Sequence, residues 1–359
     1  MSTIGTGDPR TNRVGAGDPH AQPPGPSSKA RAARHLMVVR ELGVLAVLLA
    51  LVGATFAVNT RFLSEQSVRD LLLGAAILII LAVGQTLVIV TRNVDLSVGS
   101  LVGLIAFGTG KLLLEFPGAP LVVALAVGML AGACFGALNG ALVAVAKVPA
   151  LVITLGTLYI YRSIDQLWAS GQQINAADMP RGFLDFGRSD GILGIPWLAW
   201  IALLVVAAAT FALRSFRSGR ELYAIGSDPD AARLSGIPVG RRVFAVFAIN
   251  GALAGLAGVL YAARYGTLDA TVATGLELEV VAAVVIGGVA IFGGSGTVYG
   301  AALGALLLTT IDSALPVLDV DPFWQQAFVG ALILAAIGLD RLLNARLAKR
   351  MKGGNGHGA

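Results

Sequence analysis

The sequence predicts an all-α, polytopic membrane protein of about ten transmembrane helices. Three observations carry this reading. Apolar residues make up 56% of the 359 positions and charged residues only 13%, against about 25% charged in an ordinary soluble domain. Several runs, among them 71–90 and 121–146, contain no Asp, Glu, Lys, Arg or His, and about 20 such residues cross the hydrocarbon of a bilayer. In hydrocarbon every backbone amide needs an internal partner, so these runs are helices.

The elements follow in order. Residues 1–35 are rich in Gly, Pro, Ser and Thr and hold no apolar run. They are expected to form a disordered tail, and the first span, lacking a preceding signal pattern, is expected to stay uncleaved. Helices are placed at 42–60, 71–91, 96–114, 121–146, 150–168, 197–213, 243–261, 278–292, 298–315 and 322–340, with a second tail at 344–359. The third and eighth are short and glycine-interrupted: one starts directly after TRNVD, the other ends in GGSG. Five helices apart, they suggest equivalent positions of an inverted repeat, and paired broken helices point to a transport pathway. Gly128, Gly132, Gly136 and Gly140 recur every four residues on one helix face, as do Gly251 and Gly255. Such stripes let helix backbones approach closely.

Charge placement sets the topology. Nineteen of the 26 lysines and arginines fall in 1–41, in 340–359, in the segment 214–242, or at Arg92 and Lys147. Ten crossings put all nineteen on one side, which the positive-inside rule assigns to the cytoplasm. The net charge of +5 is therefore a topology signal and not a sign of nucleic-acid binding. The one cysteine, Cys134, is expected to be a small packed residue. His20, His35 and His357 lie near the termini without other metal-type ligands, so no metal site is expected.

The polar island GRELYAIGSDPDAARLSGIPVGRR, 219–242, interrupts the apolar chain. Its centre reads as a helix of about two turns with signals at both ends. Asp228 caps the start, Pro229 suits the first helical position and Asp230 complements the dipole. Gly236 and Pro238 end it. Ala231, Leu234 and Ser235 form its contact face, with Arg233 at the rim. A helix this short is unstable alone. It is either a docking element for a soluble partner or an amphipathic turn on the membrane surface.

These residues resemble a known family. GRELYAIGSDPDAARLSGI, NGALAGLAGVLYAAR, GLELEVVAAVVIGGVAIFGGSGTVYGAALGAL and PFWQQAFVGALILAAI resemble the membrane permeases of ABC importers for simple sugars, of the ribose, xylose, rhamnose and autoinducer-2 type. NVDLSVGS at 93–100 and VPALVITLGTLYIYRSI at 148–164 extend the resemblance from about 71 to 343. The chain departs from it at Thr91-Arg92-Asn93, where many members carry two glycines. The resemblance implies a permease domain at 42–343 that pairs with a second copy or a sister permease. It also implies separate ABC ATPase subunits in the cytoplasm and an extracytoplasmic sugar-binding protein. Asp228, Pro229, Ala231, Arg233, Leu234 and Gly236 then belong to the helix that couples to the ATPase, within the loop 214–242.

Catalytic chemistry is not expected. Gly110-Lys111 is not part of a phosphate-binding loop, and no nucleophile elbow or zinc-binding helix motif occurs. No cofactor is expected in this chain, since ATP would be used by partner subunits. Polar residues in apolar spans are functional suspects. Asn93, Asp95, Ser97, Asn139, Thr154 and Asn250 are the candidates for a pathway that matches sugar hydroxyls, with capping of the third helix as the alternative role of Asp95. The competing reading is an ion-coupled secondary transporter. It calls for buried carboxylates in broken helices, to which Asp95 and Asp312 come nearest, and it leaves the capped island without a job.

Overall fold

The computed structural model describes residues 28–338, apart from 147 and scattered positions between 322 and 337. Among the described residues the named elements are all helices: α1 (Ser28–Val58), α2 (Glu65–Val90), α3 (Val98–Glu115), α4 (Leu121–Ala146), α5 (Ala150–Ala169), α6 (Arg181–Arg188), α7 (Trp197–Ser215), α8 (Arg217–Ser227), α9 (Pro229–Leu234), α10 (Val239–Tyr265), α11 (Leu276–Ile286) and α12 (Val298–Ala314). α1 begins inside the stretch expected to be disordered, where Ala, Arg and Leu favour helix. Residues 1–27 and the tail 344–359 lie outside the described residues.

Seven of these helices are long and apolar enough to cross a membrane: α1 over Arg40–Val58, α2, α3, α4, α7, α10, and α12 with its continuation to Leu318. Of the other three expected spans, 150–168 is α5, a 20-residue helix carrying Arg162 and Asp165. The expected span 278–292 shortens to α11, only 11 residues, or about 16 Å at 1.5 Å per residue. Residues 287–297 continue it as non-helical backbone, which membrane depth tolerates only when packed inside protein. Most of the expected helix 322–340 falls outside the described residues.

α2, α3 and α10 form the centre. Ile80, Leu81, Ile89, Leu101, Phe107, Phe247 and Leu260 are fully enclosed there. Large apolar side chains face outward instead on α4, α5 and α7, among them Leu130, Val145, Leu155, Leu204 and Phe211. An exterior of this kind suits lipid and not water. The glycine stripes meet where α4 crosses α10. A β-carbon on Gly132 would sit 2.2 Å from the Gly251 carbonyl oxygen, and one on Gly136 2.3 Å from that of Phe247. Cys134, between these glycines, is exposed and not packed, because the stripe takes the inward face.

The suspected repeat has a local signature. Arg92, two residues past α2, has a φ of 68°, and Gly266, directly after α10, has a φ of 71°. Three residues beyond each stands an aspartate, Asp95 or Asp269. Asp95 Oδ1 accepts from the backbone N–H and hydroxyl of Ser97 at 2.9 and 2.7 Å. Asp269 Oδ1 accepts from the same two groups of Thr271 at 2.7 and 2.5 Å. α3 and α11 follow. The two breaks lie at opposite ends of the bundle: Val90 at the end of α2 meets Gly226, whereas Arg264 at the end of α10 reaches the Asp70 carbonyl at the start of α2.

Candidate functional site: a buried polar junction and an exposed foot

Residues 91–97, between α2 and α3, are non-helical, so their polar groups need partners other than a helix ladder. Neighbouring helices supply them. Asn250 of α10 donates from Nδ2 to Asp95 Oδ2 at 2.9 Å, completing the carboxylate that Ser97 holds from the other side. Asn139 of α4 donates to Ser97 Oγ at 2.8 Å, and its own Oδ1 accepts from the Tyr161 hydroxyl of α5 at 3.2 Å. Thr154 of α5 donates to the Val94 carbonyl at 3.2 Å. The Gln85 amide of α2, oriented with its nitrogen toward the Asp95 carbonyl, satisfies both backbone groups of Asp95. Gly84 leaves the space in which the Asn250 amide sits, since a β-carbon there would lie 2.3 Å from Asn250 Oδ1.

Five of the six pathway candidates, Asp95, Ser97, Asn139, Thr154 and Asn250, thus share one network tying α3, α4, α5 and α10 to the segment that leaves α2. Each is at most 2% exposed. In this conformation they bond one another, leaving only Asn250 Oδ1 of the five without a partner among the described residues, and they are closed off unless those helices part. Asn93 stands aside: its Nδ2 donates to the Thr91 carbonyl and hydroxyl, both at 3.0 Å, closing the end of α2. Tyr161 and Gln85 were missed. Gln85 had a readable signal, being the one amide side chain in the run 71–90. Tyr161 had none, because an aromatic in an apolar span reads first as packing.

At the end of the bundle where α2 stops, α8 and α9 form a foot. Asp228 accepts from the backbone N–H groups of Asp230 and Ala231 at 2.9 and 3.0 Å. The bonds from Ala231 and Asp230 hold its carboxyl below the usual carboxylate range. Pro229 takes the first helical position. Gly236, at φ 79°, ends the helix while its N–H bonds the Arg233 carbonyl at 2.9 Å and that of Ile237 the Ala232 carbonyl at 3.0 Å. Arg233 pairs with Asp230 at 2.7 Å on the surface. Ala232 is the buried residue of α9. Ala231, Ser235 and Leu234 face away from the bundle, Leu234 being 91% exposed.

The second foot helix, α8, was not anticipated in the sequence. It is amphipathic over three turns, burying Leu222, Ile225 and Gly226. Glu221 ties it to α10 through Arg242 at 2.6 Å and pairs with Arg217 at 2.9 Å. Burial pushes the Glu221 carboxyl up, but the bonds and charges of Arg242 and then Arg217 outweigh it and leave it lowered. The Tyr223 hydroxyl donates to the Gly296 carbonyl at 3.0 Å.

A transport subunit is the class that this apolar bundle, with its buried polar junction and protruding capped foot, defines. Residues 67–337 match the family described as branched-chain amino acid transport system / permease component, and the chain belongs to that family. It is 37% identical over 317 residues to the autoinducer 2 import system permease protein LsrC of Enterobacter sp. (strain 638), covering 88% of this chain and 91% of that one. It is 38% identical over 309 residues to the proteins of the same name from Shigella flexneri and Escherichia coli (strain K12 / DH10B), covering 86% of this chain and 89% of each of those. No solved structure matches the chain.

Proposed function

We propose that this chain is the membrane-spanning permease subunit of an ATP-binding-cassette importer. It moves a simple sugar or sugar-like molecule into the cytoplasm, and separate ATPase subunits energise it. The relatives' import of autoinducer 2 supports a sugar-like cargo over the branched-chain amino acids of the family's description. The foot, both tails and the end of α2 are cytoplasmic in this reading, as the basic bias requires, and the membrane is the bacterial cytoplasmic membrane. An extracytoplasmic binding protein delivers the cargo, and a second permease, identical or sister, completes the pore. The chain itself holds no cofactor.

The observation that carries the proposal is Leu234, a leucine 91% exposed at the end of a helix capped by Asp228 and Gly236. Held rigidly away from the bundle, Ala231, Arg233 and Leu234 present a small apolar knob with a charged rim, which suits insertion into a groove on a soluble partner. Leu234→Asp tests this. The variant should insert in the membrane normally, lose co-purification with the cognate ATPase subunits and lose uptake, since it would bury a carboxylate in that groove. Full uptake by Leu234→Asp refutes the docking role. Uptake that persists in nucleotide-depleted cells under an ion gradient would favour the secondary-transporter reading instead.

A further inference from the structure

Arg92 occupies a backbone position that an arginine has no conformational reason to hold. Its φ of 68° lies in the left-handed region, where glycine is the default residue. Past α10 the chain uses glycine, Gly266, for the left-handed residue that stands three positions before Asp269. What differs between the two sites is the side chain and its surroundings. Arg92 Nε donates to the Phe292 carbonyl at 3.0 Å, on the loop after α11. The Gly294 N–H of that loop bonds the Val90 carbonyl at 3.0 Å. Gly226, at the end of α8, packs on the same carbonyl so closely that a β-carbon would lie 1.8 Å from it. Gly294 of the same loop also packs on Ser227 at the end of α8, where a β-carbon on the glycine would lie 2.9 Å from the Ser227 nitrogen. The guanidinium therefore holds the loop 287–297, which itself abuts the foot at Gly226 and Ser227, while the Arg92 backbone leads three residues later into the Asp95 junction.

We propose that Arg92 is a positioning residue that relays movement of the foot to the buried junction, so that a shift of α9 turns residues 91–97 and loosens the bonds from Asp95 and Ser97 to Asn250 and Asn139. This rests on the foot being the docking element. Glycine suits the backbone at position 92, so Arg92→Gly removes the relay without removing the turn. Relief of the left-handed strain offsets the freedom that glycine adds to the unfolded chain. Arg92→Asn, which also tolerates this conformation, serves as a second variant, and Arg92→Lys restores the charge alone.

Amide hydrogen exchange on the full complex with its ATPase subunits, with and without ATP, reads the relay without needing the cargo. In the unaltered complex, nucleotide should change exchange several-fold at both 228–236 and 91–97. In Arg92→Gly and Arg92→Asn the response at 228–236 should remain and that at 91–97 should vanish, with partial return in Arg92→Lys and melting temperatures close to the parent. Four outcomes overturn the relay: a 91–97 response retained in Arg92→Gly, the same response missing from the parent, a fall in melting temperature that accounts for the loss, or loss of the ATPase subunits from the complex, which would make Arg92 a docking contact. If Leu234→Asp still binds those subunits, the foot reading fails, and that result is separate from any obtained at position 92.

Discussion

Asn250 and Asp95, 155 positions apart, meet through a 2.9 Å hydrogen bond with neither side chain more than 2% exposed. The bond joins the middle of α10 to the broken start of α3, and Ser97 and Asn139 carry it on to α4. Opening between these helices must break or exchange it.

Asn250→Ala should therefore do more than remove a bond. It leaves one oxygen of a buried carboxylate without its donor, which costs about 1–3 kcal/mol or more. The variant is expected to melt several degrees lower in detergent and to transport poorly. Asp95→Asn paired with Asn250→Asp, which keeps an amide facing a carboxylate, should recover part of the stability. A melting temperature for Asn250→Ala equal to that of the parent argues against a structural junction.

Two glycine substitutions make a matched test of the α4–α10 contact. Gly132→Ala puts a methyl 2.2 Å from the Gly251 carbonyl, whereas Gly156→Ala on α5 meets nothing within 4 Å. Forcing volume into a packed interface costs about 1–3 kcal/mol. Gly132→Ala should lower thermal stability, whereas Gly156→Ala, an open position in mid-helix, should leave it equal or slightly raised, as measured by unfolding in detergent.

The foot should respond to acid with a definite sign. Asp228 is lowered by the N–H groups of Ala231 and Asp230, and Glu221 is lowered on balance by Arg242 and Arg217. A carboxyl lowered in the folded state contributes its stability above the unfolded value, about 3.9 for Asp and 4.3 for Glu. That contribution is lost as pH falls through the lower folded value. Protection of 217–236 from proteolysis by an acid-active protease should hold from neutral pH to the ordinary carboxylate range and fail below it. Asp228→Asn should flatten part of that acid limb.

Sidedness is tested at Ser227, exposed at the end of α8. In a Cys134→Ser background, Ser227→Cys should react with a membrane-impermeant thiol reagent in inverted vesicles and not in intact cells. Labelling in intact cells would invert the assignment of the foot and both tails.

Hydropathy and charge, both local properties, were enough to read the spans that the structure shows as α2, α3, α4, α7, α10 and α12. The caps of α9 were legible for the same reason, since Asp228, Pro229 and Gly236 act on their own neighbours. Where polar groups depended on distant partners, local reading fell short. α8 was missed because its buried face pairs with α2, α7 and α10. α11 was drawn too long because 287–292, GGVAIF, is as apolar as a helix yet packs as turns.

The sequence by itself determined that the chain is a bundle of apolar helices with a capped foot, and it marked Asp95, Ser97, Asn139, Thr154 and Asn250 as polar residues out of place in oil. Only the tertiary structure decided that these five share one network, that Tyr161 and Gln85 join it, and that Arg92 bonds the loop packed against the foot. An unsatisfied group in an apolar interior is costly wherever it lies along the chain, so its presence can be read locally. Which group satisfies it depends on how helices far apart in sequence come to cross.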